Sequence, residues 1–243
     1  MTKFGIIAAF RGELRPLVEK WQRLDLGAGR GGQAAWRGRI GTAECIAVPG
    51  GMGKDAAARA CDIAESALGG LDGLVSLGWA GALSCGVHPA RAYPVEEVVD
   101  ASTGERFVSS LSPSTGSQSG GPRLRLLTLD HVARAGEKRP LAEKHQAVLV
   151  DMEAATVARM AKQKGIVFYC FKAVSDAYGE ILPDFSRYGD AEGQLRMPAL
   201  LGHTAFRPKY WPAMARMGKN AQTGAVVLAA ALRDFLEKHA DKS

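Results

Sequence analysis

At 243 residues, with 47% hydrophobic and 23% charged side chains, the chain has the length and composition of one full-sized globular α/β domain. Its longest apolar runs, "GIIAAF" and "AVVLAAAL", fall short of the ~20 residues of a membrane span, and no secretory signal is readable. The net charge of +6 is spread along the chain without a recognition module, which speaks against nucleic acid as the partner.

In chain order, "KFGIIAAF" (3–10) reads as a buried strand and "GELRPLVEKW" (12–21) as an amphipathic helix after it. "AAWRGRIGTAECIAVPG" (34–50) reads as two strands joined at Gly41. "KDAAARACDIAESAL" (54–68) reads as a helix, and "LDGLVSLG" (71–78) returns to strand. Strand-like pieces follow at 92–100 and 123–129, with "SSLSPSTGSQSGG" (109–121) between them as a mobile surface loop. The second half predicts a helix near 136–145, a strand at 147–150, a helix at 152–164 and a strand at 166–174. A long final helix covers 211–239, with a break near Gly218 or Gly224 as an option. The expectation is a single domain over 1–243, with a mixed central sheet and helices on both sides.

Four cysteines lie far apart, and with five scattered histidines they offer no metal-site spacing. Apolar surroundings such as "YCF" read as reduced core cysteines and a cytoplasmic setting. Two glycine patterns are set aside. "GAGRGG" (27–32) follows a helical pattern and precedes a strand, the reverse of a dinucleotide site. "PGGMGKD" (49–55) lacks the glycine spacing of a phosphate loop, although its strand-to-helix context suits close approach of backbone to a small ligand.

Three acids stand just beyond strands: Glu13 after the first, Glu153 after the one ending at Val150, and Asp176 after "IVFYCFKAV". Ligands of open α/β sheets bind outside the carboxyl ends of strands, so the three can converge on one cleft. Taken singly, each is also an ordinary loop acid, and "VLVDMEAATVARM" (148–160) can be read as a helix start capped by Asp151. Period-two alternation puts Lys172, Val174 and Asp176 on one strand face and Ser175 on the other. "SLGWAGAL" (76–83) adds a strand end whose small residues leave room for a flat ligand.

These stretches, together with "WRGRIGTAECIAVPGGMGKDAA" and "KAVSDA", resemble the nucleoside phosphorylase superfamily, most closely its 5′-methylthioadenosine/S-adenosylhomocysteine nucleosidase branch. "EKRPLAEKHQAVLVDMEA" and the "LP" after "SDA" look more like the hopanoid-associated nucleoside phosphorylases. The resemblance implies cleavage of the N-glycosidic bond of a purine, adenosine-type nucleoside. In that scheme Asp176 protonates the base and Glu13 activates water. Glu153 holds ribose hydroxyls, with Met152 packed on the sugar. Ser175 orients Asp176 or the base, and Ala80, Gly81 and Val132 line the base pocket. Phe10, Met52 and Phe185 border the sugar and its 5′ group. Two residues depart from the resemblance: Lys172 stands where Arg is usual, and Trp79 replaces a small polar residue at the sugar.

Glu13 favours hydrolysis, and phosphorolysis remains as the alternative, with phosphate as co-substrate and Arg11, Arg91 and Lys172 as its candidate cradle. A binding protein that kept the pocket but lost catalysis is the third reading. No cofactor is expected, and the resemblance implies a homo-oligomer, dimer or larger.

Overall fold

The computed structural model describes residues 1–26, 34–111, 124–180 and 207–240. "GAGRGG", most of the serine-rich loop and Phe185 lie outside them. The described strands are β1 (Lys3–Ala8), β2 (Gln22–Asp25), β3 (Ala34–Ile40), β4 (Ala43–Pro49), β5 (Gly73–Ala82), β6 (Ala92–Pro94), β7 (Glu97–Asp100), β8 (Arg106–Val108), β9 (Arg125–Thr128), β10 (Leu149–Asp151) and β11 (Val167–Asp176). The described α-helices are α1 (Arg11–Val18), α2 (Lys54–Leu68), α3 (Ala135–His145), α4 (Ala154–Lys164) and α5 (Trp211–Ala240).

All the described strands join one mixed sheet in the order β2-β3-β4-β1-β5-β10-β9-β7-β8, with β11 against β5 and β6 against β11. The apolar runs of β1, β4 and β5 follow from burial on both faces, as parallel strands under helices require. One face packs Ala57, Ala60 and Ala64 of α2 and Ala154, Val157 and Ala161 of α4. Leu14 and Leu17 of α1 cover the other, with Leu228, Leu232 and Phe235 of α5. Helices therefore flank both sides of a mixed sheet.

Strand β5 is the axis of the molecule. Along one edge it pairs with β11 from Gly73 to Gly81. On the other, β1 accompanies it only from Gly73 to Ser76, and β10 joins antiparallel at Gly81 and Ala82. Between those two partners the edge of β5 is open. A backbone N–H exposed in such a gap needs an acceptor, and the gap is where the acids arrive.

Three local features differ from the sequence reading. Short edge strands β2 and β8 form from "QRLD" and "RFV", whose half-polar patterns carry little periodic signal. Helix α5 runs unbroken through both glycines. A Cβ at Gly224 would meet the Ala173 side chain at 3.0 Å, so that glycine serves close helix–strand approach rather than a break. The alternation predicted for β11 fails at its end: Val174 pairs with Ala80 and Asp176 with Gly81, leaving Ser175 as the extra residue of a bulge. Ser175 and Asp176 thus both reach the same cavity.

Candidate active site

A cavity of about 390 Å³ fills the fork between β1 and β10. Its walls include Phe10, Glu13, Met52, Trp79, Ala80, Gly81, Val132, Met152, Glu153, Ser175 and Asp176, all singled out from the sequence. Glu13 enters from the first turn of α1 and is almost fully buried, at 2% exposure. Its Oε2 accepts the Phe10 N–H at 2.6 Å, and its Oε1 accepts the Trp79 N–H, also at 2.6 Å, closing the open edge of β5. Only glycine permits this at position 78, because a Cβ there would stand 2.6 Å from Glu13 Oε1. Burial pushes the Glu13 carboxyl up to about 7, with the two N–H donors and the nearby Lys172 charge pulling the other way.

Glu153 stands at the N-cap of α4, where its Oε1 accepts the Gly53 N–H at 2.8 Å. The glycine loop before α2 therefore brings its backbone to a carboxyl group of the cavity. Burial, and next the neighbouring Asp151 charge, push Glu153 up from the usual carboxylate range. Asp151 stands two residues before that N-cap, not at it, yet its Oδ2 accepts a first-turn donor, the Ala154 N–H, at 3.0 Å. Thr128 Oγ1 donates to its Oδ1 at 2.7 Å, and Lys172 Nζ lies 2.8 Å from its Oδ2.

Asp176 stands across Gly81 from Val150. Its carboxylate takes the Ser175 hydroxyl on Oδ1 at 3.0 Å and Lys138 Nζ on Oδ2 at 2.8 Å. A Cβ at Gly81 would approach both carboxylate oxygens, at 3.2 and 3.3 Å. Trp79 forms a wall rather than an obstruction. Its indole N–H donates to the Ala221 carbonyl of α5 at 2.9 Å, and its ring lies 6.1 Å from that of Phe10.

Sequence reasoning missed Lys138, His131, Met217 and Ala221, which also line the cavity. His131 bonds Asp130 and Glu137, and the Asp130 hydrogen bond in first place holds its imidazole above the usual range. Its position beside Val132 in "DHVAR" was the available signal. Met217 and Ala221 come from the far end of the chain, and nothing local marks them.

The first half of the chain, residues 3–124, matches the sequence profile described as the phosphorylase superfamily. The chain belongs to the phosphorylase superfamily. No curated protein matches it. Solved structures of the same fold include 5′-methylthioadenosine/S-adenosylhomocysteine nucleosidase from Helicobacter pylori, at 17% identity and a TM-score of 0.69, covering 98% of this chain and 99% of that one. S-adenosylhomocysteine nucleosidase from Streptococcus pyogenes matches at 19% identity and a TM-score of 0.70, covering 98% and 97%. Futalosine hydrolase of Helicobacter pylori matches at 16% identity and 0.70, covering 98% of each chain.

Within this superfamily fold, Lys172 is not a wall residue. Its side chain is 3% exposed and paired with Asp151, which itself lines the cavity, so Lys172 stands behind a wall residue and not among the substrate contacts expected of it. Burial would lower the Lys172 ammonium, and its acidic neighbours, Asp151 first among them, together more than offset this, so the group stays charged. Arg11 lies over the Trp36 ring, 5.2 Å from its centroid, and neither it nor Arg91 lines the cavity. The three cations considered as a phosphate cradle therefore do not meet there. Cys45, Cys61 and Cys170 are buried free thiols as expected, whereas Cys85 is exposed. Among the described residues no cluster of metal-ligating side chains forms, and no helix is long and apolar enough to cross a membrane.

Proposed function

We propose that this protein is a purine nucleosidase that hydrolyses the N-glycosidic bond of an adenosine-type nucleoside. The observation that carries the reading is the placement of two acids along one strand. Glu13 packs on Gly78 and Asp176 on Gly81, glycines whose Cα atoms are about 10 Å apart at the rise of a strand, and both acids line the one cavity. That span leaves room for a sugar and the imidazole ring of a purine between them.

Breaking the bond passes through an oxocarbenium-like state, which needs an acid at the leaving base and a base on the opposite face of the sugar. Asp176 gives a proton to the purine N7 while Glu13 takes one from the attacking water. A general base works best with its pKa near the working pH, where burial puts Glu13. Glu153 and Met152 hold the ribose, and Ala80, Gly81 and Val132 pack on the base. Ser175 fixes the Asp176 carboxyl, and Phe10 and Met52 border the 5′ group. The nucleoside- and futalosine-hydrolysing names of the structural neighbours are consistent with this chemistry. Hydrolysis is preferred to phosphorolysis because a buried carboxylate at the nucleophile position would repel phosphate. The enzyme works without a resident cofactor, in the cytoplasm, as a homo-oligomer.

The test is chromatographic assay of base release from adenosine, methylthioadenosine, S-adenosylhomocysteine and inosine, each with and without phosphate. Free sugar formed at the same rate without phosphate is the expected result. Strict phosphate dependence with a sugar 1-phosphate product would make it a phosphorylase and remove Glu13 from the role of base. No release from any substrate would favour a binding protein.

A further inference from the structure

Helix α3 buries a single residue, and it is a lysine. Lys138 is 2% exposed, while the other positions of the helix are exposed or partly so. A buried ammonium is costly unless its hydrogen bonds are met by a charged partner. Lys138 Nζ lies 2.8 Å from Asp176 Oδ2 and donates to the Ala177 carbonyl at 3.1 Å. Both acceptors belong to the end of β11, just past the bulge that turns Asp176 into the cavity. The loop that precedes α3 carries Val132 and His131 on the cavity wall. Helix α3 and the loop before it therefore deliver both part of the cavity wall and the cation on the acid that serves the base.

We propose that Lys138 is a positioning residue for the leaving-group acid, one that pins Asp176 Oδ2 and stabilises the carboxylate left behind when the proton moves to the purine. The inference rests on the nucleosidase reading above. In the step, the C1′–N9 bond breaks and its electron pair goes to the purine. The Asp176 O–H proton passes to N7, a water oxygen bonds to C1′, and the water proton passes to Glu13. The nucleoside and one water give free base and free sugar, and the cycle closes as Glu13 releases its proton to solvent and Asp176 regains one from it. The Lys138 charge favours the product side of the proton transfer, so its effect falls on the chemical step rather than on substrate binding. A surface ion pair would contribute little; here the lysine side chain is 3% exposed, so solvent screening is slight.

Steady-state base release by the full chain and three variants tests this. Lys138→Met is expected to lower kcat about 10- to 100-fold, the size of a lost hydrogen bond to a charged group, with KM within about twofold. Lys138→Arg is expected to recover most of kcat, and added ethylamine is expected to restore part of it in Lys138→Ala. Unchanged kcat in Lys138→Met, with active unaltered protein, would overturn the inference alone. So would a loss confined to KM, or a loss with a lowered Tm that neither arginine nor ethylamine repairs. If the unaltered protein releases no base from any nucleoside, the nucleosidase reading fails and this inference fails with it.

Discussion

The two ends of the cavity hold their charges differently. At the base end, one acid meets one buried cation: Asp176 and Lys138 face each other at 2.8 Å. At the sugar end, Glu13, Asp151 and Glu153 share the single charge of Lys172, which pairs directly with Asp151. Asp151 thus has a full partner, and the other two acids are left with backbone N–H groups and a distant charge. Burial raises both carboxyls, and those weaker partners do not offset it. A carboxyl group thus faces a buried lysine at one end and backbone N–H groups at the other, and the difference lies in which partners the fold supplies.

The largest effects are expected from breaking each end at its acid. Asp176→Asn removes the proton donor, and a fall in kcat of about 10³- to 10⁴-fold on adenosine-type substrates is expected. Glu13→Gln should lower kcat by about 10²- to 10³-fold while leaving nucleoside binding, measured by calorimetry, nearly unchanged. Equal losses of binding in both variants would contradict the separate roles. The pH profile sharpens the contrast. Because Glu13 must be ionised to accept a proton, kcat should rise with pH through about 7, and this limb should vanish in Glu13→Gln. Stability runs in the opposite sense. Between the ordinary value of 4.5 and about 7 the folded chain holds a proton at Glu13 that the unfolded chain has released. This group's contribution therefore falls as pH rises across that window.

Much of this site was legible because the three acids directly follow strong apolar runs. Such runs are strands whatever their neighbours, and the residue after a strand of an α/β sheet stands at its ligand edge. Lys138 was not legible. The stretch "EKRP" has the composition of a solvated helix face, and only tertiary placement makes one of its cations buried. Lys172 was found, but its partner was not, since the sequence cannot show that Asp151 of the cavity wall stands 2.8 Å from its Nζ. The Ser175 bulge was hidden for a similar reason, because a register shift is a relation between two strands. Across the described residues the order of major elements follows the periodicity, and the errors gather at short edge strands and at pairings between distant segments.

Next in size is the loss of the shared cation. Lys172→Met removes one member of a pair in which the side chains are 3% and 1% exposed. It leaves Asp151 with only Thr128 Oγ1 and the Ala154 N–H. Breaking a buried pair in this way costs about 3–5 kcal/mol, read as a lowered midpoint in urea unfolding. Adding Asp151→Asn should return part of that stability, since the stranded charge is gone. Where Lys172→Met folds, the rising limb of kcat should move to higher pH, because Lys172 draws the Glu13 carboxyl down. A limb that stays in place would mean that burial and the two N–H donors alone set Glu13. In Lys138→Met the same limb should not move, since Lys138 serves the opposite end.

The smallest expected effect concerns the wall that joins the two ends. Trp79 donates its backbone N–H to Glu13 and its indole N–H to the Ala221 carbonyl, so one residue ties the sugar-end base to α5. Helix α5 reaches the base end as well, through the Asn220 side-chain amide donating to the Ser175 carbonyl at 3.2 Å. Trp79→Phe keeps the backbone bond to Glu13 and the aromatic contact with Phe10, and it loses the indole bond. The expected cost is about 1 kcal/mol of stability by urea unfolding, the net worth of one such hydrogen bond. Because the bond that orients Glu13 is retained, kcat should change by less than about threefold, while KM should rise as Met217 and Ala221 lose their anchor. A fall in kcat as large as that of Glu13→Gln would instead place the indole, and not the carboxylate alone, at the reacting centre.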